Sequence, residues 1–292
     1  MRGETGDDVS VLIDAHVHFH ECFAPAAFLE SARWNFELVA RRHGWKAPVG
    51  VLMMTESEGV DWFGRLSRQA AGGGDGPQVP LGAWTVEPTA DAGALAAVSG
   101  NRRLLIVAGR QVVVREGLEV LMLGTTATPA DGRPLAEVLA EGARLGALRM
   151  IPWGAGKWLF HRGRLLREVM ANQRSLDGFF LGDGAGRPFF WPTPSHFREA
   201  ARRGIRVLGG TDPLPFPSQG GRAGSFGFRL EGAVDLSRPL ESIKAALLDP
   251  ASRLTPFGRP ERAVPFVRDQ LAMQRRNRRA PRAGSRTESS AR

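Results

Sequence analysis

Short apolar runs alternate with longer amphipathic segments along this chain. The first run, Val9–Ile13, leads into residues that alternate between polar and apolar as far as Glu21, which is the period of a strand. Pro25–His43 carries apolar residues at helical spacing and is closed by Gly44, so it predicts a helix. Val49–Thr55 is a short apolar run between polar residues, the pattern of a buried parallel strand.

The same two patterns continue to about residue 212. Further strands are predicted at Leu81–Val86, Leu104–Ala108, Leu148–Trp153, Gly178–Asp183 and Ile205–Asp212, with a hairpin formed by Val112–Arg115 and Leu118–Leu123. Further helices are predicted at Asp61–Ala71, Ala90–Ser99 and Leu135–Leu145. Because strands that alternate with helices favour parallel pairing, we predict an α/β fold, a TIM-like (β/α)7–8 barrel, with an open sheet as the alternative.

Histidines occupy every second position in the first predicted strand. Side chains alternate across a strand, so Asp14, His16, His18 and His20 share one face. Neutral imidazole is the commonest protein ligand for zinc, and this spacing can bring two nitrogens within about 2.1 Å of one ion. Packed or exposed histidines are the alternative, but this alternation uses three of the six histidines in the chain. The pattern therefore predicts a metal site.

Carboxylates follow three of the later predicted strands. Glu56 and Asp183 each stand at a strand end, and Asp212 closes the segment Gly209–Pro213. Ligands collect at the carboxyl ends of parallel strands, so these side chains should converge on the histidines. A turn aspartate before Pro213 is the alternative for Asp212. The predicted metal ligands are His16, His18, Asp212, Glu56 and Asp183.

Three segments resemble metal-dependent hydrolases built on TIM-like barrels, namely the amidohydrolase superfamily and the polymerase-and-histidinol-phosphatase (PHP) family. Asp14–His18 looks like the opening Asp-x-His-x-His of both groups. Ala108–Gly124 looks like a hairpin of the PHP family, and Gly210–Asp212 is similar to its terminal Gly-Ser-Asp. The resemblance covers residues 9–215 and implies a metal-dependent hydrolase.

The chain departs from the PHP pattern at three ligand positions. Thr55-Glu56-Ser57 stands where the family has Thr-Asp-His, and Gly109-Arg110-Gln111 where it has Gly-x-Glu. The counterpart of the family's Ala-His-Pro strand is Met150-Ile151-Pro152-Trp153. The histidines that amidohydrolases carry on their fifth and sixth strands are also absent, since His161 and His196 fall in predicted loops or helix starts. We therefore expect one divalent ion rather than two.

Such an ion would generate hydroxide from bound water near neutral pH, with Asp212 or Glu56 carrying the proton as catalytic residue. The predicted reaction is hydrolysis of a phosphoester or C–N bond in a small polar substrate. Zinc is the first choice, and manganese, iron and nickel accept the same ligands. A catalytically silent barrel that binds metal or a small ligand is the alternative.

The substrate contacts are predicted from aromatic and cationic residues near the strand ends. Trp153 can stack on a ring, while Lys157, Arg187 and Arg110 can hold an anionic group, which favours an anionic small molecule as the partner. Ordinary loops with surface arginines are an equal alternative for these segments. Ser195 is interpreted as a helix cap rather than a nucleophile.

The composition of the chain predicts its domain boundaries and its cellular compartment. With 292 residues and 42% hydrophobic content, residues 1–274 can form one large domain, while residues 275–292 form a predicted disordered tail with seven arginines and one glutamate. Weak nonspecific contact between this tail and anions is expected, and nucleic-acid binding through it is a further hypothesis. The single Cys22, the lack of a signal peptide and the lack of a membrane-spanning apolar run predict a cytoplasmic protein without membrane insertion.

Overall fold

A computed structural model describes residues 10–73, 76–232 and 234–279 of the chain. In chain order, the strands of these residues are Ser10–Val17 (β1), Pro48–Met54 (β2), Thr85–Pro88 (β3), Ala94–Ser99 (β4), Arg102–Val107 (β5), Gly109–Val113 (β6), Glu119–Leu123 (β7), Leu148–Pro152 (β8), Phe179–Gly184 (β9), Val207–Gly210 (β10), Gly227–Leu230 (β11) and Leu254–Phe257 (β12). The α-helices are Pro25–His43 (α1), Trp62–Ala70 (α2), Leu135–Arg144 (α3), Phe160–Ala171 (α4), Ser195–Arg202 (α5), Pro239–Leu248 (α6) and Ala263–Arg279 (α7).

The strands form two sheets. The first has seven strands in the order β12-β11-β1-β2-β5-β4-β3, and the second has five in the order β10-β9-β8-β7-β6. Pairing is parallel in β1-β2-β5 and in β8-β9-β10, as expected for strands joined by helical crossovers. The remaining pairs are antiparallel, including the β6–β7 hairpin that the sequence predicts.

The predicted TIM-like (β/α)7–8 barrel is wrong, because the described strands form two open sheets. Barrel closure would require a ladder between β10, the last strand of the predicted series, and β1. That edge of β1 is already paired antiparallel with β11, from Val11 opposite Leu230 to Ile13 opposite Phe228. Strand β10 therefore remains an edge strand of the second sheet.

Two other sequence-based predictions fail locally. The predicted helix Ala90–Ser99 contains strand β4, whose alanines are buried between β3 and β5. The sequence prediction also missed β11 and β12, which are only four residues long. Of the predicted tail, residues 275–279 continue α7, and residues 280–292 lie outside the described residues.

The core has apolar layers on both sides of each sheet. Helices α1 and α2 pack on the outer face of the first sheet, and α3, α4 and α5 pack on the outer face of the second. Between the sheets lies a third apolar cluster, which includes Ile13, Met53, Phe180 and Phe228 together with residues of α6. Consequently every residue of β1 is buried, and its polar side chains must find partners inside the protein.

Glycines allow β10 to approach β1 without a ladder between them. A Cβ atom added at Gly210 would lie 2.4 Å from both Cβ and the backbone nitrogen of His16. Just beyond β10, the Asp212 amide donates to the His16 carbonyl at 2.8 Å. These contacts therefore bring the two sheets together at the end of β1 that carries the histidines.

We predict that Gly210→Ala lowers the free energy of unfolding by about 1–3 kcal/mol, because the added methyl group overpacks against the His16 backbone. Urea unfolding followed by circular dichroism measures the effect. Gly186→Ala is the matched control, since a Cβ at Gly186 meets no atom within 4 Å. Equal stability of the two variants would contradict the close contact.

Candidate metal centre

Three side chains converge where β1 and β10 end. The Nε2 atoms of His16 and His18 lie 3.1 Å apart, and each lies 3.6 Å from Oδ1 of Asp212. One possible ligand atom from each residue falls within 4.8 Å of the others, and among the described residues no further group of three or more histidines, cysteines or acids does so. The two imidazoles are buried, while the Asp212 side chain is 39% exposed. The cluster therefore has an open side.

The protonation states in this cluster follow from burial and neighbouring charge. Burial, together with the charge of His16, lowers the pKa of His18 to about 3, so His18 is neutral at pH 7. Burial opposes ionisation of Asp212, but neighbouring positive charge, first that of His16 and also that of Lys157, outweighs it and holds the pKa of Asp212 below its usual value. The cluster thus presents a neutral imidazole beside an ionised carboxylate.

Asp212 has an unusual backbone conformation. Its φ angle is +46°, in the left-handed region, where residues other than glycine are uncommon, although aspartate tolerates this region better than most. Such conformations persist where surrounding contacts enforce them. Here the Asp212 amide is held by the His16 carbonyl, and Pro213 follows with its carbonyl bonded to Nε2 of His20 at 2.8 Å. The turn therefore directs the carboxylate back toward the two histidines.

Asp14, which shares the polar face of β1, performs a structural task rather than facing the cluster. Its Oδ2 accepts from the Thr211 hydroxyl at 2.5 Å and from the Gly224 amide at 2.9 Å, while its Oδ1 accepts from the amides of Thr211 and His16. Burial nevertheless raises the pKa of Asp14 to about 6. Four donors from three parts of the chain thus surround one buried carboxylate.

The structure does not bring Glu56 or Asp183 into the cluster. Glu56 accepts from the Phe63 amide at 2.6 Å, at the start of α2, and burial raises its pKa to about 7. Asp183 is paired with Arg187 through two hydrogen bonds, of 2.7 and 2.8 Å. Both stand at strand ends, as the sequence predicts, but each is bound to a group near it in the chain.

The predicted substrate residues divide between two clefts. Trp153 and Arg187 line an open cleft, with a volume of about 80 Å³, that also contains Asp212. Lys157 pairs with Glu119, and its charge acts on Asp212. Arg110 lies elsewhere, in a separate cleft with Glu56, where its Nη1 donates to the Ser57 carbonyl at 2.6 Å.

Sequence reasoning missed several residues of this region. Arg222, Phe266 and Gln270 also line the cleft of Asp212, although no motif marked them. Gln111 lies beside His18, and its amide oxygen is buried. Gln111 differs from these three, because its position at a predicted strand end indicates convergence with His18, although it stands where the PHP pattern has a ligand glutamate.

We predict that Thr211→Val lowers the free energy of unfolding by about 1–3 kcal/mol, because it removes one donor from the buried Asp14 carboxylate while keeping the side-chain shape. Thr211→Ser, which keeps the hydroxyl, is the control and should be the more stable variant. Urea unfolding of both proteins at pH 7 makes the comparison. If the valine variant is as stable as the serine variant, the hydroxyl does not support Asp14.

We predict a pH effect from Glu56. Because its pKa is raised on folding, ionisation costs stability, and that cost develops as pH rises from about 4.5 through about 7. The free energy of unfolding of the wild type should therefore fall relative to Glu56→Gln by up to about 3 kcal/mol over this range. Urea unfolding at several pH values measures it, and parallel pH profiles for the two proteins would refute it.

No protein family and no curated protein matches the sequence. Among solved structures, the fold is similar to PsfC from Pseudomonas syringae PB-5123, at 14% identity and a TM-score of 0.54, over 91% of this chain and 98% of that one. This likeness shows a shared fold alone.

Weaker likenesses reach two structures of endonuclease Q. One is a complex with a 27-mer duplex carrying an abasic lesion, at 16% identity and a TM-score of 0.43, over 82% of this chain and 56% of that one. The other, from Pyrococcus furiosus, has 14% identity and a TM-score of 0.47, over 84% of this chain and 57% of that one. Among the described residues, no helix has both the length and the apolar character that a membrane span requires.

Proposed function

We propose that this chain is a metal-dependent hydrolase with one divalent ion held by His16, His18 and Asp212. The observation that carries the proposal is the convergence of two histidine nitrogens and one carboxylate oxygen within 3.6 Å of each other, from strands about 190 residues apart in sequence. The substrate is a small polar molecule with a phosphoester or C–N bond, and its anionic group lies in the cleft shared by Asp212 and Arg187.

The donor set suits a catalytic rather than a structural ion. Structural zinc sites use four protein ligands, whereas catalytic sites use three and keep an open position. The partial exposure of Asp212 supports such an opening. The side chain of Gln111, whose amide oxygen is buried beside His18, adds a further polar group next to the cluster. Zinc fits these ligands best, and manganese, iron and nickel are compatible.

A bound ion of this kind supplies Lewis acidity and an activated water near neutral pH. The side chains around the ion have two further roles, proton transfer and substrate binding. Asp212 is ionised at pH 7 and can take up a proton on its carboxylate. Arg187 and Arg222 line the cleft and can orient an anionic substrate group, although each is also paired with an acid, Asp183 and Glu261 respectively.

A noncatalytic protein that binds a metal ion or small ligand is the second candidate. It is favoured by the engagement of Glu56 with the Phe63 amide and of Asp183 with Arg187, which leaves three of the five predicted metal ligands in the cluster. Both candidate functions include a bound metal ion or ligand, but only the hydrolase converts a substrate.

We predict that protein purified without added metal carries close to one ion per chain, and that His16→Ala/His18→Ala loses it, because two of the three ligands are removed. Plasma mass spectrometry measures the ion content. His43→Ala/His161→Ala is the matched control, since both of these histidines are exposed on helices. Asp183→Asn should keep its metal, because Asp183 is occupied by Arg187.

Metal-free, folded wild type would overturn the proposed centre. If the ion is present, turnover of phosphoesters and amides separates the two candidates. Asp212→Asn should then lose at least about 10²-fold in rate, because the change removes a carboxylate that is both a metal ligand and the proposed proton acceptor. Stoichiometric metal without turnover of any member of either substrate class would favour the noncatalytic candidate.

A further inference from the structure

A second cavity adjoins the cleft of Asp212. It has a volume of about 270 Å³ and shares Trp153 and Gly154 with that cleft, so the same loop after β8 forms a wall of both spaces. Its other walls include Trp158 and Phe160 near the start of α4 and Trp191 from the segment before α5. The cavity and the cleft are therefore neighbours with Trp153 as a shared wall.

Five residues with aromatic rings line this cavity, namely Trp153, Trp158, Phe160, Trp191 and His196. Trp153 and Trp191 lie edge to face with ring centroids 6.1 Å apart, and Trp158 packs edge to face on His196 at 5.4 Å. Aromatic rings prefer such edge-to-face and offset-stacked neighbours, which add about 0.5–1.5 kcal/mol to simple burial. The walls thus favour a further ring over an aliphatic group of equal size.

The cavity has little free charge among its described lining residues. His196 is buried, donates from Nε2 to the Gly163 carbonyl at 3.0 Å, and has a pKa lowered by burial. Arg167, the charged lining residue, is paired with Glu199 at 3.3 Å and donates to Oγ of Ser195. A neutral ring fits this environment without leaving a buried charge unpaired.

Phe160 gives independent support for a ligand. It is 87% exposed and has a φ angle of +52°, an outlier for a bulky residue. Neither core packing nor relaxed backbone geometry accounts for an exposed phenylalanine held in this conformation at the rim of an aromatic cavity. Strained residues of this kind cluster at ligand-binding sites, and a bound ring would cover part of the exposed side chain.

We propose that this cavity is a subsite for a planar aromatic ring of the substrate, placed so that the bond to be cleaved lies on the far side of Trp153, beside Asp212. The role in substrate binding rests on the proposed hydrolase function. The volume suits one substituted ring, because an apolar cavity of about 150 Å³ already accepts benzene. The subsite narrows the small polar substrate to one that carries such a ring.

The test is equilibrium binding of benzyl alcohol to the full chain, measured by ligand-observed nuclear magnetic resonance. Wild type should show saturable binding, and Trp191→Ala should bind about two- to tenfold more weakly, the range expected for one lost aromatic contact. Phe160→Ala is a second variant with little risk to folding, since Phe160 is exposed, and it should also bind at least about twofold more weakly.

Trp34→Ala is the matched control, because Trp34 is 50% exposed on α1 and does not line the cavity. It should bind benzyl alcohol as the wild type does. Cyclohexylmethanol, which has the same skeleton with a puckered ring, should bind more weakly to wild type than benzyl alcohol does. The absence of saturable binding, equal affinity for both alcohols, or unchanged affinity in both Trp191→Ala and Phe160→Ala would overturn the subsite.

The His16→Ala/His18→Ala variant separates this inference from the proposed function. Its affinity for benzyl alcohol should equal that of the wild type, because the ring is held on the other side of Trp153. If the wild type binds the ring but carries no metal, the cavity is a ring-binding site and the proposed hydrolase function is refuted. If the wild type carries one metal ion per chain but does not bind the ring, the subsite proposal is refuted and the proposed metal site is retained.

Discussion

The buried carboxylate of Asp14 is the constraint on which the arrangement of the candidate metal centre depends. An ionisable group inside a protein is tolerated only when hydrogen bonds replace its lost hydration. Asp14 obtains them from the amide and hydroxyl of Thr211, from the Gly224 amide and from the His16 amide. These donors tie the end of β10 and the approach to β11 onto β1, so Asp212, the residue after Thr211, is placed opposite the histidines.

In a closed barrel, a continuous ladder of backbone hydrogen bonds would position β10 beside β1. Here the hydrogen bonds to Asp14 do so. Strand β11 occupies the edge of β1, and β10 is held beside β1 by glycine contacts and by the bond from the Asp212 amide to the His16 carbonyl. Each residue of the Gly210-Thr211-Asp212 segment has a separate structural role. Gly210 permits close approach, Thr211 satisfies Asp14, and Asp212 turns into the cluster through a positive φ angle.

Local period and strand-end position were sufficient to predict the three clustered side chains, but not to reject the other two predicted ligands. The rule that polar groups gather at strand ends predicts the edge of the sheet where a side chain lies. It does not predict which other side chains are its neighbours at that edge. Glu56 and Asp183 found partners within seven residues, the Phe63 amide and Arg187. The pairing of β11 with β1 joins residues more than 200 positions apart, and the sequence of a four-residue strand carries no signal for such a partner.

The charges around the centre help to explain why a cation suits it. The formal net charge of +9 suggests a surplus of positive charge, yet the cations near Asp212 carry acidic partners: Arg187 has Asp183, Arg222 has Glu261, and Lys157 has Glu119. What the centre itself contains is an ionised carboxylate beside two buried imidazoles, of which His18 is held neutral by burial. An ionised carboxylate beside a neutral imidazole is a donor set that a divalent ion such as zinc accepts, so the protonation states at the cluster suit a cation.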